Sequence, residues 1–421
     1  SARESGRGNY DLRFAIPKST LNRRQFLKTA LPRYEMKPGI EVSKCSGTDK
    51  CRLCLDICSH HAISHQKDTI SIDGSICSGC GACMAICPNQ AISYPAYSVE
   101  ELIRELEGLL YSEGDCLDSR IIALYCLNYL SDSAEEIRYP STILPIEVPC
   151  LSVVSPLLLL RAFEMGAQGL VLIANEDKCS SESCPSIIDN NVRFVQSILN
   201  AMNVESTRIK LFEITDNNRI NVESGLHIFA EEMAGLTPTP FKFNDCISHA
   251  DDKSGIHALI DRMGKKTVKF DRDTIYTSGV SLGKITIDSV ECTVCGLCSL
   301  NCPTSALIGI TADNDDYQLL FKYESCIACG VCANVCPEKC IQLHHILELD
   351  KLCAQESMLV KTGVEKCRSC GRDIAPAAMI DSLRAKLQDA GCDNDYLDLC
   401  PECRASTQGS GRIEQDNLIR I

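Results

Sequence analysis

Residues 292–307 read CTVCGLCSLNCPTSAL, and residues 326–341 read CIACGVCANVCPEKCI. Each begins C-x2-C-G-x-C-x3-C-P. In such a run the first three thiolates grip one [4Fe–4S] cube, while the fourth reaches the neighbouring cube. Eight cysteines at two matched spacings therefore mark a pair of clusters. The crossover divides them, with Cys292, Cys295, Cys298 and Cys336 expected on one cube. Cys326, Cys329, Cys332 and Cys302 are expected on the other.

Working outward, the same device recurs near the start of the chain. Cys45, Cys51, Cys54 and Cys58 form C-x5-C-x2-C-x3-C, and Cys77, Cys80, Cys83 and Cys87 form C-x2-C-G-x-C-x3-C-P. Crossover ligation groups Cys45, Cys51, Cys54 and Cys87 on one cube, and Cys77, Cys80, Cys83 and Cys58 on its partner. The segments at the four fourth cysteines are CSHHAI, CPNQAI, CPTSAL and CPEKCI. A strand-like pattern, Ile70-x-Ile72-Asp73 and Ile285-x-Ile287-Asp288, introduces two of the runs. Four copies of one unit in two pairs resemble two dicluster ferredoxin modules. The first copy is irregular: it has three extra residues between its first two cysteines, Arg52 in place of glycine and Ser59 in place of proline. Cys340 takes the position held by Ala62, Ala91 and Ala306, and reads as a small buried hydrophobe rather than a ligand. His60 and His61 beside Cys58 read as surface residues in a turn.

The chain has 421 residues, 29 cysteines and 45% hydrophobic residues, enough for real cores in several domains. Disulfide frameworks belong to short secreted chains. Here most cysteines lie in tight C-x2-C pairs, which suit shared metal centres in a reducing compartment. The net charge of −14 argues against nucleic acid as a partner. Residues 1–44 carry ten Lys/Arg against four Asp/Glu, a net +6, which leaves −20 on the remainder. A basic arm on an acidic body suits docking to an acidic subunit or an anionic membrane surface. The stretch Asn22–Lys28 resembles a twin-arginine signal, but no apolar segment follows it, so export is rejected. No run is long enough to span a membrane; Leu151–Phe163 is short and broken by Ser155 and Pro156. The expected location is cytoplasmic, with peripheral attachment to the inner membrane face as part of a complex allowed.

Between the two cysteine-rich modules the pattern changes. Ser98-Val99-Glu100-Glu101 reads as a capping box opening a helix that runs towards Gly114. From 119 to 236, short apolar runs alternate with helical periods: IIALYC, TILPIEVPC, a helix opened by Ser155-Pro156, GLVLIANE, a helix from Pro185, TRIKLFEIT and a helix over 222–233. Such alternation predicts a parallel sheet covered on both faces. Cys126, Cys150, Cys179 and Cys184 fall at the carboxyl ends of its strands, where open α/β sheets bind ligands. Four thiols on that edge suggest a further metal site. Residues 237–284 read as a linker folding onto its neighbours. At the C-terminus, Cys367-x2-Cys370 and Cys400-x2-Cys403 form two knuckles around a helix over 376–390. Structural zinc is favoured there, with iron the alternative for the same four-sulfur geometry. The expected organisation is a basic arm (1–40), a first ferredoxin module (41–97), a connecting helix (98–118), the α/β domain (119–236), the linker (237–284), a second ferredoxin module (285–345) and a zinc-ribbon-like unit (346–421). The fold class is thus two α+β ferredoxin-like modules flanking an α/β parallel-sheet domain, with a small knuckle domain at the end.

The α/β segment resembles the delta subunit of methyl-viologen-reducing hydrogenase, a module also found fused to heterodisulfide-reductase subunits. The likeness rests on IIALYCLNYLSDSA, on IEVPC followed by a helix, and on AFEMGAQGLVLIANEDKC. It implies one [2Fe–2S] cluster, and electron passage between a hydrogenase or formate dehydrogenase and a flavin subunit. Cys126, Cys150 and Cys179 match family cysteines, Tyr129 and Ala174 stand where two others would be, and Cys184 is an added candidate ligand.

In the four predicted cubes every coordination position is filled by protein sulfur, which favours relay over substrate binding at iron. No catalytic residue is therefore expected. No G-x-G-x-x-G follows a strand, so a flavin or nicotinamide site is unsupported, and no adjacent Cys-Cys pair is present. The leading expectation is an electron-transfer subunit of an anaerobic oxidoreductase complex, with four [4Fe–4S] clusters, an optional [2Fe–2S] centre and one zinc. Its donor would be a hydrogenase, formate dehydrogenase, ferredoxin or flavin subunit, and its acceptor a heterodisulfide-reductase-like subunit. The alternatives are a free-standing polyferredoxin-type carrier, or a thiol/disulfide reductase using the middle-domain cysteines.

Overall fold

The computed structural model describes residues 37–408 apart from 48–50, 67–68, 88, 96–97, 112–119, 127–136, 176–178, 180–183, 215–218, 243–254, 268–269, 312–315 and 353–355. Most of the basic arm, with its paired arginines, lies outside the described residues, as do Gly114 and Tyr129.

The two cysteine-rich modules share one layout. In the first, strand Gly39–Ile40 pairs antiparallel with Ile92–Ser93, and the hairpin Ile63–Gln66/Thr69–Ile72 lies between them in the chain. In the second, Lys284–Ile287 pairs with Ile341–His344, and the hairpin is Leu307–Thr311/Asp316–Phe321. Four short helices, Leu53–Ile57, Ala82–Ile86, Leu297–Leu300 and Val331–Asn334, each carry the third cysteine of a run. The third residue after every fourth cysteine is left-handed: His61 at φ 51°, Gln90 at 50°, Ser305 at 54° and Lys339 at 50°. Such backbone is uncommon outside glycine, so its recurrence at one offset marks a single turn used four times.

The α/β segment forms an all-parallel sheet ordered Ile143–Val148, Ile121–Cys126, Gly169–Asn175, Ile209–Ile214. Its two central strands, Ile121–Cys126 and Gly169–Asn175, are nearly continuous apolar runs because both faces are covered. On one face Ile122, Leu124, Leu170 and Leu172 join the core shared with helices Pro156–Glu164 and Cys184–Ala201. On the other, Ile121, Val171 and Ile173 meet Leu226 and Phe229 of helix Arg219–Gly235. Ser155 accepts a hydrogen bond from the Leu158 amide, with Pro156 in the first turn, so the chain enters this helix with an orphan donor satisfied. The capping box at Ser98 and Glu101 is formed, and helix Val99–Leu110 buries Leu102 and Leu106.

The linker contains helix Ile256–Gly264 and strand Thr274–Tyr276, which pairs with Ile346–Glu348. The helix is only nine residues long and lacks a side-chain cap, which hid it from periodicity. It is held by charge as well as packing: Glu164, buried on the neighbouring helix, takes Arg161 at 2.9 Å and Arg262 at 2.9 Å. Removing either arginine would leave part of a buried carboxylate charge unbalanced.

His257 of the same helix is buried edge-on to the Tyr323 ring of the second module, with centroids 5.2 Å apart. Burial pushes it down to about 4, only partly opposed by Glu324. An unfolded histidine titrates near 6.5, so between those values the unfolded chain holds a proton that the folded chain refuses. Stability is therefore present above about pH 6.5 and is expected to fall as pH drops towards 4, by about 3 kcal/mol in all. Denaturant melts between pH 7 and 5 check this; His257→Phe should flatten the slope.

Strand Ser357–Lys366 pairs with Asp316–Phe321 on one side and with Asp373–Pro376 on the other. The resulting four-stranded sheet joins the second module to the C-terminal segment. Pro376 closes the last strand and serves as the N-cap of helix Ala377–Asp389, rather than its first residue, because its ψ of 133° is still extended. Buried residues of the first module, the parallel-sheet domain and the second module form one continuous core, from Ile70 through Leu124 and Ile198 to Leu319.

Candidate metal–sulfur centres

The turns and short helices aim the cysteines of each module inward in groups. Burial pushes the Cys54 thiol up to about 12, and Cys51, Cys87 and Cys45 are its influential neighbours. Burial does the same to Cys83, whose neighbours are Cys80, Cys77, Cys54 and Cys58. In the second module one small cavity is lined by Cys302, Cys326, Cys329 and Cys332 together with Ile285 and Leu343. A second is lined by Cys292, Cys295, Cys298 and Cys336 with Leu319 and Ile341. Four thiols around an apolar-walled cavity suit a cube with protein sulfur on every iron. Backbone amides already point at these sulfurs: Gly79 N–H donates to Cys77 Sγ at 3.4 Å, Ala91 to Cys87 at 3.3 Å and Ala306 to Cys302 at 3.2 Å. Such donors orient ligands and tune a bound cluster. A fifth thiol, Cys340, is buried in the last cavity with its Sγ 3.5 Å from that of Cys336.

The middle-domain cysteines meet at the carboxyl edge of the parallel sheet. Cys126 ends its strand, Cys150 lies two residues beyond the next strand, and Cys184 opens helix Cys184–Ala201, one residue ahead of the predicted start. The Sγ atoms of Cys150 and Cys184 are 3.5 Å apart. Donation by Cys184 holds Cys150 low, at about 7, while Cys184 beside that sulfur keeps its proton. Cys179 neighbours both. Burial raises Cys126 to about 11, with Cys150 and Cys179 as its thiol neighbours. Among the described residues, the buried Asn175 side-chain oxygen has no hydrogen-bond partner, an unsatisfied acceptor at the same edge. The donor set and this orphan fit a small sulfur-ligated metal centre.

Three junctions, none visible in the sequence, connect these groups. Ser152 is fully buried, and its hydroxyl reaches the Cys80 carbonyl of the first module while lying 3.3 Å from Cys150 Sγ. Tyr94 donates to the Gly79 carbonyl at 2.6 Å, and its hydroxyl is pushed up by burial and then by Cys150 and Cys80. Between the two modules, Asn89 donates to Ser46 Oγ at 2.6 Å, and Ser46 donates to the Pro303 carbonyl at 3.4 Å. Cys51 of the first module is within electrostatic reach of Cys329 of the second. Within the second module, Cys298 is likewise in reach of Cys332.

At the C-terminus the sulfurs of Cys367, Cys370, Cys400 and Cys403 all lie within 4.8 Å of one another. Backbone amides from Cys400, Cys370 and Ser369 hold Cys367 low, at about 6. Four sulfurs this close match a single tetrahedral ion rather than a cube. The Arg372–Glu402 ion pair links the two knuckles, and Lys386 reaches Glu338 of the second module at 2.7 Å. Among the described residues, no helix is long and apolar enough to cross a membrane.

Comparison with known proteins places families on these segments. Residues 121–237 match the family model for the methyl-viologen-reducing hydrogenase delta subunit. Residues 284–337 match a 4Fe-4S dicluster domain, and residues 70–93 a 4Fe-4S binding domain. Over 70 residues, 16% of this chain, there is 40% identity to the isethionate sulfite-lyase activating enzyme of Nitratidesulfovibrio vulgaris, and that match spans 23% of the relative's length. Over 57 residues, 14% of this chain, there is 39% identity to a 7Fe ferredoxin of Hydrogenibacillus schlegelii, covering 72% of it.

Proposed function

We propose that this chain, which belongs to the ferredoxin family and joins 4Fe-4S modules to a hydrogenase-delta-subunit domain, conducts electrons as one subunit of a larger oxidoreductase. The observation that carries this is the single file of sulfur sites. The middle-domain thiols adjoin the Cys77–Cys83 group through Ser152. That group adjoins Cys54 and the Cys45 group, which in turn faces Cys329. Cys332 then adjoins the Cys292 group.

Iron–sulfur centres in these positions would each accept and release an electron; the residues hold, space and tune them. Cys45, Cys51, Cys54 and Cys87 hold the first cube, and Cys77, Cys80, Cys83 and Cys58 the second. Cys326, Cys329, Cys332 and Cys302 hold the third, and Cys292, Cys295, Cys298 and Cys336 the fourth. Cys126, Cys150, Cys179 and Cys184 hold a [2Fe–2S] centre, and Cys367, Cys370, Cys400 and Cys403 a structural zinc that anchors the C-terminal unit, for which an ordinary closed S4 site suffices. The partners are hydrogenase, formate dehydrogenase or flavin subunits at one end and a heterodisulfide-reductase-like subunit at the other, in the cytoplasm.

Metal and sulfide analysis of the purified chain tests this, with about 18 Fe and one Zn expected from four cubes, one dinuclear centre and one knuckle. A value near 8 Fe, two cubes' worth, would remove a whole module from the reading. The 3.5 Å approach of Cys150 to Cys184 favours one other reading, a redox dithiol. That reading requires the isolated chain to reduce a disulfide substrate by itself.

A further inference from the structure

We propose that Cys340 donates a hydrogen bond to the ligand sulfur of Cys336, and so makes the cube at Cys292, Cys295, Cys298 and Cys336 the most oxidising of the four. This rests on the cluster assignment above and adds a gradient to it.

The four copies of the unit supply their own control. Four residues after each fourth cysteine stand Ala62, Ala91, Ala306 and Cys340, and all four are buried. The left-handed residue just before fixes this position against the ligand: in two copies the amide at this position donates to the fourth cysteine's sulfur, from Ala91 at 3.3 Å and from Ala306 at 3.2 Å. A methyl group there adds nothing polar. A thiol adds one more donor at the same spot, and the Cys340 sulfur lies 3.5 Å from Cys336 Sγ with Cys292 Sγ also in hydrogen-bonding reach. Two of the four sulfurs around this cavity are therefore touched by a group that the other three copies lack.

Cys340 is not needed as a ligand, because Cys292, Cys295, Cys298 and Cys336 already complete the set at the spacing that the other copies use. It is only 7% exposed, and its neighbours are sulfurs that become thiolates when they bind iron. An S–H at 3.5 Å from a ligand sulfur is placed to donate to it. Hydrogen bonds to cluster sulfurs stabilise the more negative, reduced state and raise the potential, and burial strengthens each one. This cube is also the far end of the file, beyond Cys332. Electrons entering at the middle-domain end would therefore collect there.

The experiment is a potentiometric titration of the full, cluster-loaded chain followed by low-temperature EPR. In Cys340→Ala the most positive of the four cube steps is expected to move down, while the other three stay. The expected change is about tenfold in the oxidised-to-reduced ratio, about 59 mV for a one-electron couple. Cys340→Ser keeps a donor and should stay closer to the parent. Ala306→Cys places the same thiol beside Cys302 and should raise a second step. An unmoved titration in Cys340→Ala with full iron content overturns the proposal, as does iron loss in both Cys340 variants, which would make Cys340 a ligand. A parent chain that lacks the iron for four cubes sinks the underlying assignment instead, and metal analysis reads that separately.

Discussion

Gly81→Ala is expected to cost about 3 kcal/mol of stability and to part the first module from the parallel-sheet domain. Gly81 has a φ of +76°, where a side chain is strained whatever space surrounds it. Space is absent too. A Cβ there would lie 2.4 Å from Val153 Cγ1 and 2.6 Å from the Tyr94 hydroxyl. Neither neighbour is the loose end of a flexible side chain: Val153 is buried in the turn that follows Cys150, and Tyr94 is pinned by its bond to the Gly79 carbonyl. The clash must therefore be relieved by moving backbone. The backbone nearest to hand carries Cys80, whose carbonyl Ser152 reaches. Thermal and denaturant melts should show the loss. The sharper sign is a change in the EPR interaction between the middle-domain centre and the Cys77–Cys83 cube, with the second module's signals unaltered. A melt within about 0.5 kcal/mol of the parent, the range of an ordinary surface change, would show that the interface yields easily.

The second large effect is expected from Cys51→Ser combined with Cys54→Ser. The chain should lose about four iron atoms, one cube, and keep the remainder. The loss falls at the joint between modules, where Cys51 lies within electrostatic reach of Cys329 and Ser46 reaches Pro303. If the parent relays electrons as proposed, equilibration between the middle-domain centre and the Cys292 cube is internal to one molecule, and its rate should be independent of protein concentration. In the variant the file is broken in the middle, and the two ends should equilibrate mainly by collision between molecules. Rapid-mixing absorbance at several protein concentrations separates the cases, because a rate that stays independent of concentration would mean a second internal route.

The cysteine spacings made both modules legible, because a cluster demands thiols at fixed offsets and a turn of fixed shape. The parallel sheet was legible for a different reason. Strands buried on both faces must be apolar throughout, as GLVLIANE is, and helices between them must carry caps such as Ser155 and Ser98. What stayed hidden lies between the parts. Ser152 and Ser46 are single small hydroxyls whose partners sit 72 and 257 residues away, and no local pattern encodes such contacts. Helix Ile256–Gly264 escaped notice because it is only nine residues long and has no side-chain cap to announce it. Cys340 did leave a signal, as the one cysteine in a column of alanines. Reading it as a hydrophobe described its burial but missed the sulfur beside it.

The irregular first run also gains a physical reading. Its Ser46, directly after Cys45, reaches the Pro303 carbonyl of the second module, and Arg52 at φ −124° abandons the left-handed glycine turn of the other copies.

Strand Ser357–Lys366 has a consequence for how the chain comes off the ribosome. Until it emerges, Asp316–Phe321 is an edge strand, with one side of its backbone unpaired beside two cavities lined by cysteines. Open edges of this kind recruit other chains. The segment from Ser357 to Cys403 thus acts as a built-in escort: the strand covers the open edge, and the four clustered sulfurs of Cys367, Cys370, Cys400 and Cys403 tie together the chain that follows it.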